Sequence, residues 1–94
     1  MDLGSTIKDI RKQKGIKQNV LAELCKISQT YLSQIENNNK EPNISTLREI
    51  SLQLEISLPI LFFLSLTESD VPKAKQEVYK IIGPTIKTLI KDLI

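Results

Sequence analysis

Between Gln18 and Pro42 the chain reads QNVLAELCKISQTYLSQIENNNKEP, a pattern with room for two short helices and very little between them. Val20, Leu21 and Leu24 recur at helical spacing with Ala22 among them. Leu32 and Ile35 recur three apart behind Ser28, a hydroxyl residue suited to cap a helix N-terminus. Only Cys25, Lys26 and Ile27 separate the two segments. So short a link cannot return the second helix antiparallel to the first, and the two must cross steeply. Ala22 suits such a crossing, because a larger side chain would hold the axes apart, whereas alanine lets Ile27, Leu32 and Ile35 close over it. The positions left facing outward are polar.

Two helices crossing steeply over a tight turn form a helix-turn-helix, whose second helix can enter the major groove of DNA. Around that unit the chain resembles the XRE family, the phage repressor and Cro type of helix-turn-helix protein. The resemblance rests on Arg11, on Gln18 opening the second helix, and on the Leu21-Ala22 pair. It continues through Ile27 in the turn, Ser28, Ser33, Ile35-Glu36, Pro42, Leu47 and Ile50, and covers roughly residues 5–66. It implies an all-α, five-helix repressor-like domain. One residue departs from the pattern: the family usually has glycine in the turn where this chain has Lys26. In a left-handed conformation that lysine costs about 1 kcal/mol relative to glycine.

The rest of the chain fits that plan. A first helix is expected over Ser5 to Lys14, with Ile7 and Ile10 buried and Gly15 ending it. After the second and third helices, Asn37-Asn38-Asn39-Lys40 signals a turn, and Pro42 prevents the third helix from continuing. A fourth helix is expected after Ser45, with Leu47, Ile50 and Leu54 along one face, and a fifth from Leu58 to about Leu66, opened by Ser57 and Pro59. The segment LPILFFLSL is apolar nearly all round, so one helix face cannot bury it. Thr67-Glu68-Ser69-Asp70 then forms a polar link, with Pro72 placed for a helical first turn. Beyond it Val71, Ala74, Val78, Ile81 and Ile82 recur at helical spacing, and Ile86, Leu89, Ile90, Leu93 and Ile94 resume the pattern after Gly83-Pro84. The phase survives the break, which leaves one kinked helix and two short ones equally open. The division is a helix-turn-helix domain over 1–66 and an amphipathic helical tail over 67–94 that either pairs copies or covers its own core.

Composition narrows the function classes. With 40% hydrophobic and 26% charged residues, the 94-residue chain is an ordinary globular one. Its core is modest, so pairing with a second copy can add stability. One cysteine, Cys25, and no histidine argue against a zinc site, a disulfide framework and a Cys-His nucleophile; at an apolar helical position Cys25 reads as core. There is no glycine-rich phosphate loop and no carboxylate cluster with a reason to be perturbed, so neither an enzyme nor a cofactor or metal site is expected. No run approaches the roughly 18 apolar residues needed to span a bilayer, and residues 1–5 lack the features of a signal peptide. No membrane association is expected, and the expected location is the cytoplasm. Net charge is only +2, but Lys8, Arg11, Lys12, Lys14 and Lys17 crowd the start, and a DNA-facing surface needs local charge, not a high total.

The resemblance also assigns residues. On the family pattern Gln29, Thr30 and Gln34 occupy the positions that reach bases, with Ser33 beside them; a glutamine can pair bidentately with adenine, and a threonine methyl can meet that of thymine. Gln18, Ser28, Asn37, Asn39 and Lys40 are the phosphate-contacting set favoured by pattern and chemistry. Tyr31 has two uses open to it, a phosphate bond through its hydroxyl or packing beside the first helix. Arg11 and Glu36 stand where the family often places a structural ion pair. Phe62, Phe63, Leu66, Ile86, Leu89 and Leu93 are the expected dimer interface, because they exceed what one chain can cover. These assignments describe a regulator that binds double-stranded DNA as a homodimer on a two-fold operator, a repressor or autoregulator with no separate effector domain for a small molecule. A different class is an interaction module that docks a partner protein through its apolar C-terminal helices; the amide-rich third helix argues against it.

Overall fold

A computed structural model describes all 94 residues and contains helices and turns only. The helices are α1 (Leu3–Gln13), α2 (Gln18–Leu24), α3 (Gln29–Glu36), α4 (Ile44–Gln53), α5 (Leu58–Ser65) and α6 (Gln76–Leu93), with single 3₁₀ turns at Glu68–Asp70 and Lys73–Lys75. Side-chain caps set several N-termini. Ser28 Oγ accepts from the Tyr31 amide at 3.0 Å, Asn43 Oδ1 from Thr46 at 2.8 Å, and Asp2 Oδ1 from Ser5 at 3.1 Å. The caps at Asp2 and Asn43 start α1 and α4 slightly earlier than the hydrophobic spacing alone suggests.

Helices α1 to α4 end in one and the same way. A left-handed residue follows each: Gly15, Lys26, Asn38 and Glu55, with φ of 71°, 58°, 60° and 57°. The next amide reaches back five residues, Ile16 to the Arg11 carbonyl, Ile27 to Ala22, Asn39 to Gln34 and Ile56 to Ser51, at 2.8–3.0 Å. This is the Schellman closure, and it satisfies carbonyls that the helix end leaves free. Only Gly15 adopts its conformation without steric cost. Lys26 does take the left-handed form, as its place in the turn demands. In three of the four closures the residue after the left-handed one is an isoleucine turned onto the core; after α3 it is Asn39.

These closures keep the links short, and the helices close around one cluster. It contains Ile7 and Ile10 of α1, Leu21 and Ala22 of α2 with Cys25 just after it, Leu32 and Ile35 of α3, Leu47 and Ile50 of α4 with Leu54 just after it, Ile56, and Leu61 and Leu64 of α5. Two residues of the expected α2 stripe are not among them. Val20 and Leu24 are exposed, because α2 turns its Leu21-Ala22-Cys25 side to the crossing and positions 20 and 24 lie about 100° round the helix.

Gly4 shows how closely α1 meets the end of α3. A Cβ there would lie 2.6 Å from Asn38 Oδ1 and 2.7 Å from the Glu36 carbonyl oxygen, so only glycine permits the approach. The Gly4 amide donates to that same Asn38 oxygen at 3.0 Å, and Asn38 Nδ2 donates to Asp2 Oδ1 at 2.7 Å. That amide bond holds the Asp2 carboxyl below the usual range.

The tail is one helix and not two. Pro84 lies inside α6, where it removes one intrahelical bond on an exposed side. Gly83 serves packing: a Cβ there would come within 2.7 Å of the Tyr79 ring, which lies against the helix at this point. Tyr79 then donates from its hydroxyl to the Leu66 carbonyl at 2.8 Å, and Lys87 donates to the same oxygen while its ammonium sits 5.5 Å from the Tyr79 ring centre. Pro72 precedes the second 3₁₀ turn and does not open α6, so Val71 and Ala74 lie before the helix. Ile90 and Ile94 pack on the core, and Gln13 Nε2 donates to the Lys91 carbonyl at 2.6 Å. Val78, Ile81, Ile82, Ile86, Leu89 and Leu93 remain exposed, Leu93 at 86%. No helix is long and apolar enough to cross a membrane.

Candidate nucleic-acid interface

The polar face of α3 gathers most of the residues that the sequence marks for DNA. Gln18, Gln29, Thr30, Ser33, Gln34, Asn37 and Asn39 line one shallow, open concavity with no hydrophobic residue in it. The core explains the exposure: Leu32, Ile35 and Glu36 point inward from α3, and the positions between them face out. Thr30, Gln29, Asn37 and Asn39 are exposed; Ser33 and Gln34 are half-buried at the helix flank. Asn39 reaches this surface because the α3 closure places a polar residue where its three counterparts place isoleucine. A surface of amides and hydroxyls can both donate and accept, as base edges require, and its donors suit phosphate oxygens.

Behind this face lies the pair of Arg11 and Glu36. Arg11 Nε donates to Glu36 Oε2 at 2.7 Å and its NH2 group to Oε1 at 3.0 Å, with the two side chains only 8% and 1% exposed. The remaining guanidinium nitrogen donates to the Ile16 carbonyl at 2.9 Å. This bidentate pair ties α1 to the end of α3 and to the loop after α1. Arg11 therefore adds no free charge to the basic start of the chain, which is left to its lysines. Every buried side-chain polar atom has a partner.

Three marked residues fall elsewhere. Ser28 is exposed and accepts the N-cap bond of α3 through its oxygen, which leaves its hydroxyl proton to donate. Tyr31 is half-buried with its side chain against the core cluster. Lys40 is exposed and lines a neighbouring groove with Met1, Leu3, Gly4, Ile35, Asn38, Glu41 and Pro42. Of the expected dimer set, Phe62, Phe63 and Leu66 are half-buried, Phe62 against the core and Phe63 along a groove with Val71, Val78, Tyr79, Ile82 and Ile86. Leu89 and Leu93 stand free, and Ile86 is exposed at the edge of that groove. Burial pushes the Cys25 thiol up to about 11, with Glu49 adding to the shift, so it stays neutral and belongs to the core.

Asn38 and Gly4 carry weight that sequence reasoning missed. The asparagine run reads as turn chemistry, and nothing in it indicates that the middle amide holds the start of α1. A glycine at the second residue of a helix is the one available signal, since it marks a close approach.

The family model described as helix-turn-helix matches residues 7–61. The chain is 42% identical over 59 residues to the ImmF control region 10 kDa protein of Bacillus phage phi105, covering 63% of this chain and 66% of that protein. It is 30% identical over 92 residues to the immunity repressor protein of the same phage, covering 85% and 64%. The HTH-type transcriptional regulator SinR of Bacillus subtilis is 38% identical over 60 residues, covering 63% and 54%. The chain thus spans slightly less than two thirds of the length of the first two relatives. Among solved structures, the clp gene regulator ClgR from Corynebacterium glutamicum superposes with a TM-score of 0.64 at 22% identity, over 98% of this chain and 86% of that one.

Proposed function

The chain belongs to the XRE-type helix-turn-helix family, and on that premise we propose that it is a sequence-specific regulator of transcription that binds double-stranded DNA in the cytoplasm. The observation that carries this reading is the wholly polar face of α3, with Gln29, Thr30, Ser33 and Gln34 free to meet base edges at the N-terminal and central turns of the helix. Gln18, Asn37 and Asn39 at the rim hold phosphates, joined by Lys40 from the adjoining groove. The name of the phage immunity repressor favours repression as the mode of action, with autoregulation as one form of it.

The working unit is a homodimer on a two-fold operator. Two recognition helices must enter successive major grooves about 34 Å apart, which requires an interface outside α3. The uncovered stripe of Ile86, Leu89 and Leu93, together with Phe62, Phe63 and Leu66, supplies it. Regulation needs no small molecule in this reading. A chain that only docked another protein would have no use for an uncovered amide surface on α3.

Selection of bound sequences from random duplexes tests the proposal. The expected product is one enriched site made of two inverted half-sites, centred about 10 base pairs apart. Recovery of unenriched duplexes would refute sequence-specific binding.

A further inference from the structure

The polar surface of α3 is wired to the buried ion pair beneath it. Glu36 Oε1, which accepts from Arg11, also accepts from Gln18 Nε2 at 3.1 Å, and Gln18 Oε1 in turn accepts from Gln29 Nε2 at 3.3 Å. The direction of this chain is not free. An ionised carboxylate only accepts, so Gln18 must turn its NH2 inward and its carbonyl outward; the reversed amide would set oxygen against oxygen. An outward carbonyl on Gln18 selects the NH2 of Gln29. The oxygen of Gln29 and its second N–H are then left for the groove in a fixed order.

We propose that Glu36 is a positioning residue for base reading: its carboxylate sets the sense of the Gln18 amide and, through it, the sense in which Gln29 presents donor and acceptor to DNA. The inference rests on the reading of α3 as a DNA-reading helix. An amide held in one sense can match adenine, whose N6 donates and N7 accepts, and it mismatches the two acceptors of guanine. An amide free to rotate about its last bond matches several edges about equally. The buried ion pair therefore contributes to sequence choice as well as to the fold.

The test repeats the random-duplex selection with the whole chain in four further forms. Gln29→Ala marks the base pair in each half-site that Gln29 reads. Gln18→Met removes the relay while keeping side-chain length. The double variant Arg11→Met with Glu36→Met removes the anchor without stranding a charge, and apolar replacement of both members of a buried pair is often tolerated. Glu36→Gln is the conservative form, able to accept from Gln18 only through its amide oxygen. The expected result is a roughly tenfold loss of preference at the Gln29 base pair in Gln18→Met and in the double variant, with the remaining positions still selected. Glu36→Gln should fall between them and the parent. Thermal unfolding identifies whether the double variant folds; if it does not, Gln18→Met and Glu36→Gln decide together. Full parental preference in Gln18→Met, or in a cooperatively folding double variant, overturns the positioning role. A parent that enriches no site overturns the DNA-reading premise instead, so the two failures are distinct.

Discussion

Helices α3 and α6 meet opposite demands. The eight residues of α3 are held at every point: Ser28 caps one end, Asn38 and Asn39 close the other, Leu32 and Ile35 are buried, and Glu36 is locked to Arg11. What remains uncovered on it is polar. The eighteen residues of α6 include one buried residue, Gly83, and leave six large apolar side chains exposed among the polar ones: Val78, Ile81, Ile82, Ile86, Leu89 and Leu93. A helix whose apolar side is satisfied within its own chain can leave its polar face ready for a polar ligand. A helix whose apolar side is left open gains from an apolar partner surface. On the proposed function the short helix reads DNA and the long one pairs copies.

If α3 is rigid because of its anchors, breaking them should cost most. Glu36→Ala strands the Arg11 guanidinium in a dry site, and urea denaturation should register a loss of about 3 to 5 kcal/mol. A loss below 1 kcal/mol would show that α3 does not depend on the pair. Gly4→Ala should follow, at about 1 to 3 kcal/mol, because the added carbon must push α1 away from the carbonyls that end α3. A neutral result in the same assay would mean that α1 shifts freely at this contact.

A weaker tie joins the start of the chain to the segment before α6. The Met1 amino group pairs with Asp70 at 2.8 Å, which together with bonds from Thr67 lowers the Asp70 carboxyl to about 2 from an ordinary value of 3.8. A carboxylate depressed on folding contributes fully above its ordinary value and loses its contribution as pH falls toward the folded one. The difference in melting temperature between the parent and Asp70→Asn should therefore be greatest above about pH 4 and shrink toward about pH 2. A difference that stays constant across that window would leave Asp70 without a role. Leu89→Asp combined with Leu93→Asp should barely alter the fold, by roughly 0.5 kcal/mol or less, because both side chains are exposed. Sedimentation should nevertheless show the paired chains separating, and a variant as tightly associated as the parent would place the interface elsewhere.

The contrast between these helices was also visible in how each reads as sequence. The body was legible because the signals agree: the Leu21-Ala22 and Leu32-Ile35 spacing, the Ser28 cap and the three-residue link all demand the same crossing. The polar face of α3 follows from that spacing by elimination. Val20 and Leu24 misled because hydrophobicity alone does not say which side of a short helix meets its neighbour. The close approach at Gly4 and the grip of Asn38 depend on contacts between distant parts of the chain, which local pattern does not encode. Gly83-Pro84 looked like a break because those residues usually interrupt helices, whereas here glycine makes room for Tyr79 and proline faces out.

The central claim is that the uncovered polar face of α3 reads bases while the core behind it carries stability. Gln34→Ala tests it most directly, since Gln34 lines the polar concavity and takes no part in the hydrophobic cluster. Random-duplex selection with this variant, set beside the parent, should show preference relaxed at one position of each half-site and retained at the others, with the melting temperature unchanged. A variant that selects the parental site with undiminished preference at every position would contradict the account.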